Sequence, residues 1–308
     1  MPTDGAWDAT VSLLREGYHF IPNRCRRLGS DIFRTRLTLT DVICMQGPQA
    51  AELFYGDAPL TRRQAMPQTV LRLLQDKGSV QQLDGVAHRH RKALFISILT
   101  APEQAERLSQ IFQEEWLARL SFWQKQKRVV LFEEVNLILT RAACRWAGVP
   151  IGDSHAMATE LAGMVEHAGH FRLATFAALW RRRRTERHVR KLVEQIRLGD
   201  VDVASDMPVR RVAAFRDIDG QMLSAEAAAV EIINMLRPTV AVGRFVAFAA
   251  VQLHEKPSWI SVLREGPDER REQFAEEVRR FSPFFPFIGA RTREEIRCRY
   301  FLSRRSSG

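Results

Sequence analysis

Cysteine is scarce in this chain. Its 308 residues include four, Cys25, Cys44, Cys144 and Cys298, far apart from one another. No CxxC pair and no His/Cys spacing is present, which excludes a zinc ribbon and a disulfide scaffold. A reduced, cytoplasmic compartment is the expectation. A secretory leader is lacking too, because Met1-Pro2-Thr3-Asp4-Gly5 has no basic segment followed by an apolar one. No run is long and uncharged enough to read as a transmembrane segment. There is no internal repeat and no flexible Gly/Ser linker, so a repeat array and a beads-on-a-string chain are excluded. Acid is in deficit: 36 Asp and Glu against 46 Lys and Arg give a formal charge of +10. That points to acidic substrates or partners, or simply to a basic background.

What is present reads as one or two soluble globular domains. Apolar residues make up 45% and charged residues 27%, ordinary for that class. The front is a small β element in a mostly helical chain. Its pattern predicts a helix over 7–18, a strand over 31–39 with a hairpin partner at 42–45, and a helix over 49–55. Segment 78–85 reads as a turn or short strand. Amphipathic helices follow over 103–125, 132–146, 154–170 and 179–198, the last with Arg181-Arg182-Arg183-Arg184 on its exposed side. Residues 200–207 are the best candidate for a mobile loop, and 216–220 read as a turn. Further helices are expected over 258–265 and 272–281. The stretch Phe281-Ser282-Pro283-Phe284-Phe285-Pro286-Phe287-Ile288 cannot be helix and predicts an extended aromatic wall.

Two places invite chemistry. The run from Ala225 to His254 is apolar with helical spacing at Val230, Ile233, Leu236, Val240 and Phe248. Between Ile232 and Leu253 its only charges are Arg237 and Arg244. Arginine is rarely buried without a partner. Pro238, next to Arg237, removes an amide donor and distorts the helix. A cation beside a broken turn in a buried helix is either an anion anchor or a side chain that snorkels to the surface. The second place is the helix start around His88-Arg89-His90-Arg91-Lys92. His88 and Lys92, four apart, share a face. So much positive charge near a helix N-terminus is unfavourable unless an anion sits there. Otherwise it is a basic surface patch. A nucleic-acid reading has no aromatic interleaving and no reader motif behind it.

Glu277-Val278-Arg279-Arg280 with Phe281-Ser282-Pro283 resembles the ExxR helix and its sequel in the cytochrome P-450 superfamily. Asp84-Gly85-Val86-Ala87-His88-Arg89-His90-Arg91-Lys92 resembles that superfamily's haem-contacting helix. Arg237-Pro238-Thr239-Val240-Ala241 stands where the usual acid–threonine pair would be. Together with the segment from Arg280 to Arg291 it resembles the bacterial fatty-acid peroxygenases. The likeness runs from about residue 13 to about residue 293.

The resemblance implies a mainly α, cytochrome P-450-like fold with a small N-terminal β element, as a single domain over 1–308. It implies haem b and hydrogen-peroxide-dependent hydroxylation of a long-chain fatty acid at the α or β carbon, with no redox partner protein and no nucleic acid. Arg237 would hold the substrate carboxylate as the acid–base group, with Pro238 shaping the helix around it. Gln81 and Phe284 would touch the substrate. His88, Lys92 and Arg291 would pair with haem propionates. Glu277 and Arg280 would be a structural pair. His90, His167 and His170 take no role.

One element of the family pattern is not found. A haem-thiolate enzyme needs a cysteine on the iron, in a Gly-rich loop before a last helix. No such loop precedes any of the four cysteines. The sequence therefore predicts a chain without a metal ligand, lacking the C-terminal cysteine loop and last helix, with an unstructured tail at 301–308. Two outcomes follow from that: an enzyme of the peroxygenase type, or a haem-free remnant with at most fatty-acid binding.

Overall fold

A computed structural model describes residues 1–56, 58–61, 65, 79–166 and 173–294, without side-chain environments for 173–179. His167, His170, Cys298 and the tail at 301–308 lie outside the described residues. The chain forms two compact units, Met1–Met66 with Pro283–Gly308, and Pro67–Ser282.

The first unit holds the predicted β element. Helix α1 (Thr10–Glu16) leads through a turn, Gly17–His19, into α2 (Phe20–Leu28). The single helix expected over 7–18 is therefore two. Gly17 at φ 51° stops the first, a conformation that costs glycine little. The second buries Phe20 and Cys25. Strand β1 (Ile32–Leu37) pairs antiparallel with β2 (Thr40–Met45), Ile32 opposite Met45 and Leu37 opposite Thr40. The two-residue turn between them places Thr38 and Leu39 at positive φ, the geometry such hairpins require. Their amides donate to Thr10 Oγ1 at 2.6 Å and Asp8 Oδ2 at 2.7 Å. Phe33, Phe20, Cys25, Cys44 and Ala9 form the small core beneath. Helix α3 (Pro48–Tyr55) and the short pair β3 (Leu60–Thr61) and β4 (Arg291–Thr292) complete the unit.

The second unit is helical: α4 (Gly85–Leu99), α5 (Pro102–Trp123), α6 (Leu131–Ala147), α7 (Ser154–Glu166), α8 (Leu173–Leu198), α9 (Pro208–Ala213), α10 (Ala225–Ala241), α11 (Gly243–Glu255), α12 (Ser258–Glu265) and α13 (Asp268–Phe281). Segment 78–85, expected as a turn or strand, carries a 3-10 turn at Val80–Gln82. The loop expected over 200–207 ends directly in α9, a short helix the pattern did not announce.

Helix α10 is the centre, packed against α6, α7, α8 and α9. Its Ile232, Ile233 and Leu236 are fully buried with Val135, Leu161 and Val193 from three neighbours. Each such side chain contributes roughly 1.5–3 kcal/mol by leaving water. The apolar run over 225–255 divides into α10 and α11 at Val242. By length and composition it could cross a membrane, at mean hydropathy 1.3. Its packing among four helices, with buried Glu231, Asn234 and Arg237, identifies α10 instead as a core helix. The arginine run is corrected too. Four consecutive residues cover most of a helical turn, so Arg182 faces inward, buried, and its Nε meets Glu186 at 2.7 Å.

Candidate functional site

Helix α10 starts at Ser224, whose Oγ accepts the Ala227 amide at 3.1 Å. This is the ordinary capping role of serine. Near the other end, Pro238 offers no N–H, so the carbonyl of Asn234 loses its helical partner. The expected broken turn is milder than that: the helix runs on to Ala241. Thr239 Oγ1 donates to the Met235 carbonyl at 2.9 Å in the same turn. One missing hydrogen bond so close to a helix end is outweighed by the packing of α10. Pro238 itself is exposed.

Arg237 does not snorkel. It is 5% exposed, and its Nη2 donates to Asn234 Oδ1 at 3.1 Å. Asn234 Nδ2 donates in turn to Gln81 Oε1 at 3.2 Å and to Glu231 Oε2 at 3.1 Å. Glu231, fully buried, accepts the Val80 amide at 2.8 Å and Arg91 Nη1 at 3.2 Å. Arg91 Nη2 also donates to Asp217. Burial pushes the Glu231 carboxyl above the usual carboxylate range, and the contacts to Asn234, Arg91 and the Val80 amide oppose that.

Of the expected site residues, the structure joins Gln81 and Arg237 through Asn234. His88 and Lys92 lie four apart on α4, half-buried and exposed respectively. Between them Arg91 turns inward to the network. Arg91, Glu231 and Asn234 were not singled out by the sequence. A signal existed for each. Arg91 is spaced three and seven residues from buried Leu94 and Ile98, which puts it on the core face of α4. Glu231, Asn234 and Arg237 recur every three residues, on one side of α10.

The remaining candidates lie elsewhere. Glu277 and Arg280 pair on α13 through two bonds, 2.8 and 2.6 Å, both side chains exposed. The Arg280 guanidinium also sits 4.1 Å from the Phe281 ring centroid. Phe284 and Arg291 belong to the first unit. The Phe284 ring meets Phe285 edge-on at 4.6 Å, and its carbonyl accepts the Tyr18 hydroxyl at 2.9 Å. Arg291 is exposed on β4. His90 Nε2 lies 3.0 Å from the Arg216 carbonyl, outside the network.

No protein-family model matches the chain. Solved structures do. Cytochrome P450SP alpha (CYP152B1), in a complex with (R)-ibuprofen, is 36% identical with a TM-score of 0.91, over 96% of this chain and 72% of that one. Cytochrome P450EX alpha (CYP152N1), with myristic acid, is 32% identical with a TM-score of 0.90, over 97% and 72%. The chain belongs to the CYP152 family, the fatty-acid peroxygenases among the cytochromes P450. Cytochrome P450 OleT, as a variant complexed with arachidonic acid, is 26% identical with a TM-score of 0.93, again over 97% and 72%. The mainly helical P450 fold read from the motifs is that of this family.

A CYP152 protein implies haem b. The side chains of His88 and Lys92, one turn apart on α4, suit the acidic edge of that group, each offering an N–H donor and Lys92 a positive charge. Its iron needs a thiolate, and the described cysteines do not fit. Cys144 is fully buried in the large core, Cys25 and Cys44 in the small one. Burial pushes the thiols of Cys44 and Cys144 up to about 12, and raises that of Cys25. Such thiols stay protonated and inert. Among the described residues, no group of three His, Cys, Asp or Glu could hold a free metal ion either.

Proposed function

We propose that this chain binds long-chain fatty acids by their carboxylate at Arg237 and serves their hydroxylation at the α or β carbon by hydrogen peroxide. The observation that carries the reading is a buried arginine, oriented by its own helix, in a family of fatty-acid peroxygenases. The relatives' ligands agree with a carboxylate anchor, since (R)-ibuprofen, myristic acid and arachidonic acid are all carboxylic acids. The guanidinium fork can hold a carboxylate through two parallel bonds and stays charged.

A carboxylate held there is the acid–base group. It would take a proton from one peroxide oxygen and return it to the other, so that the O–O bond breaks to water while the remaining oxygen atom ends in the hydroxyl group of the product, fatty acid and hydrogen peroxide giving hydroxy acid and water. The protein then needs no acid of its own at that point, and with peroxide as oxidant no redox partner protein. Haem b supplies the oxidising chemistry when bound. In this reading His88 and Lys92 neutralise its propionates, and Gln81 touches the substrate. Each methylene of the substrate chain that leaves water contributes about 0.8 kcal/mol. Pro238 removes a hydrogen bond beside the anchor and so shapes the helix around it. Glu277 and Arg280 act on each other, as a structural pair on α13.

A second reading is a haem-free fatty-acid binder. It is favoured by the three described cysteines, all buried thiols. Two measurements decide. Arg237→Ala should weaken myristate binding about tenfold or more and leave 1-tetradecanol unchanged. Equal myristate affinity in that variant removes the anchor. Adding haemin to the full chain and recording the reduced carbon monoxide spectrum separates the rest. A thiolate-type Soret band supports the peroxygenase, and no uptake leaves the binder.

A further inference from the structure

Glu231 has no role in the reading above, yet it is the most deeply buried carboxylate of the central helix. It lies six residues before Arg237, with Asn234 midway. Asparagine has two different ends, one accepting and one donating. Which end faces Arg237 decides whether the guanidinium is attracted or repelled. An ionised carboxylate can only accept. Glu231 Oε2 and Gln81 Oε1 together take both hydrogens of Asn234 Nδ2, at 3.1 and 3.2 Å. Oδ1 is then the end left for Arg237, at 3.1 Å.

We propose that Glu231 is a positioning residue, which sets the amide of Asn234 and through it the direction of the Arg237 guanidinium. The inference rests on the reading that Arg237 anchors a carboxylate. Glu231 is itself held from outside the helix. The Val80 amide and Arg91 Nη1 both donate to its Oε1, at 2.8 and 3.2 Å. Arg91 sits between His88 and Lys92 on α4 and also donates to Asp217. The aim of the anchor is thereby tied to the helix that carries the proposed propionate partners. A neutral side chain of the same shape at 231 could turn an NH2 toward Asn234. That would release the amide to flip and present a donor to Arg237.

The test uses the full chain and two ligands of equal length, myristate and 1-tetradecanol, each measured by displacement of a fluorescent fatty acid. Melting temperature is recorded for every variant. Glu231→Gln should weaken myristate about tenfold and leave 1-tetradecanol within about twofold. Placed on Arg237→Ala, it should cost myristate nothing more, since the group it positions is gone. Unchanged myristate affinity in Glu231→Gln overturns the proposal. So does equal loss for both ligands, or an independent loss on top of Arg237→Ala, because each describes mere structural support. If Glu231→Gln melts early, Asn234→Leu cuts the relay while leaving Glu231 with Arg91 and Val80. A selective loss of myristate there supports positioning, and wild-type affinity overturns it. Should Arg237→Ala itself bind myristate normally, the anchor falls, and that result is distinct from any outcome at Glu231.

Discussion

Each unit buries a small ionic cluster, and the two are wired differently. In the first, Asp4 takes Arg24 Nε at 2.7 Å, Thr35 Oγ1 at 3.3 Å and an Arg27 nitrogen. Arg24 Nη1 also lies 3.0 Å from each Glu16 oxygen, and its guanidinium stacks 3.7 Å from the Phe20 ring centroid. Acid meets base directly, and every member falls within the first 35 residues. In the second, Glu231 meets Arg91 directly but reaches Arg237 through Asn234, an uncharged amide. Its members run from residue 80 to residue 237. Direct pairing neutralises charge and ties neighbouring segments into a corner. A neutral relay carries direction without carrying charge. That difference separates a structural cluster from one suited to aiming a cation at a ligand.

The largest effect that would sharpen the contrast is chemical. Both units bury thiols. With Cys44 and Cys144 raised from 9.0 to about 12, the thiolate fraction near pH 8 falls about a thousandfold. Iodoacetamide labelling of the native chain should be slower by that order than in urea, and should rise with pH well beyond 9. Because the unfolded thiols ionise first, stability should fall as pH climbs from about 9 toward 12. If Cys44 labels far sooner than Cys144, the small unit opens locally before the large one. Equal fast labelling of both would mean that neither core is closed.

The next effect addresses the first cluster alone. Asp4→Ala removes one of the two carboxylates that Arg24 meets, leaving Glu16, and should cost about 1–3 kcal/mol. Urea unfolding would measure it. Selectivity for myristate over 1-tetradecanol should not move. A loss of selectivity would show that the two clusters are not separate in function.

Much of this was legible in the sequence, for reasons of period. Alternation set the hairpin, and a 3.6-residue repeat set the long helices. Arg237 stood out because a cation in an apolar run is rare. The pairings were not legible. Arg91 and Glu231 are 140 residues apart, and a periodic pattern says which face a residue occupies, not what it will meet there. Arg91 was hidden among four other basic residues, although its spacing to Leu94 and Ile98 marks the core face. Helix α2 and helix α9 were missed because each is short and carries a proline in its first turn, Pro22 and Pro208, which reads as a break. The exposure of the whole arginine run was overestimated by treating it as one patch. Helical geometry had to send one member, Arg182, inward.

A smaller effect comes from the hairpin above the first cluster. Leu39 holds φ 62° while largely exposed. A left-handed residue with a side chain carries a cost that glycine avoids, offset by glycine's freedom when unfolded. Leu39→Gly should stabilise the first unit by about 0.5–1 kcal/mol. A lower denaturation midpoint would show that its contacts outweigh the backbone term.

The smallest effect is expected where the sequence motif looks strongest. Glu277 and Arg280 form a two-point ion pair at i and i+3, the same spacing as Asn234 and Arg237. The hydrogen bonds of Arg280 hold the Glu277 carboxyl below its usual range, so the pair's contribution is present above that range and lost as pH falls through it. Both side chains stand in water, where such pairs are screened and entropically costly. Glu277→Gln should leave the melting temperature unchanged at neutral pH, and raising the salt should not separate variant from wild type. Glu231→Gln, on a core helix, should differ in altering binding, with salt again without influence. A large melting loss from Glu277→Gln would mean that exposure is the wrong criterion and that the motif, not the burial, decides which ion pair matters.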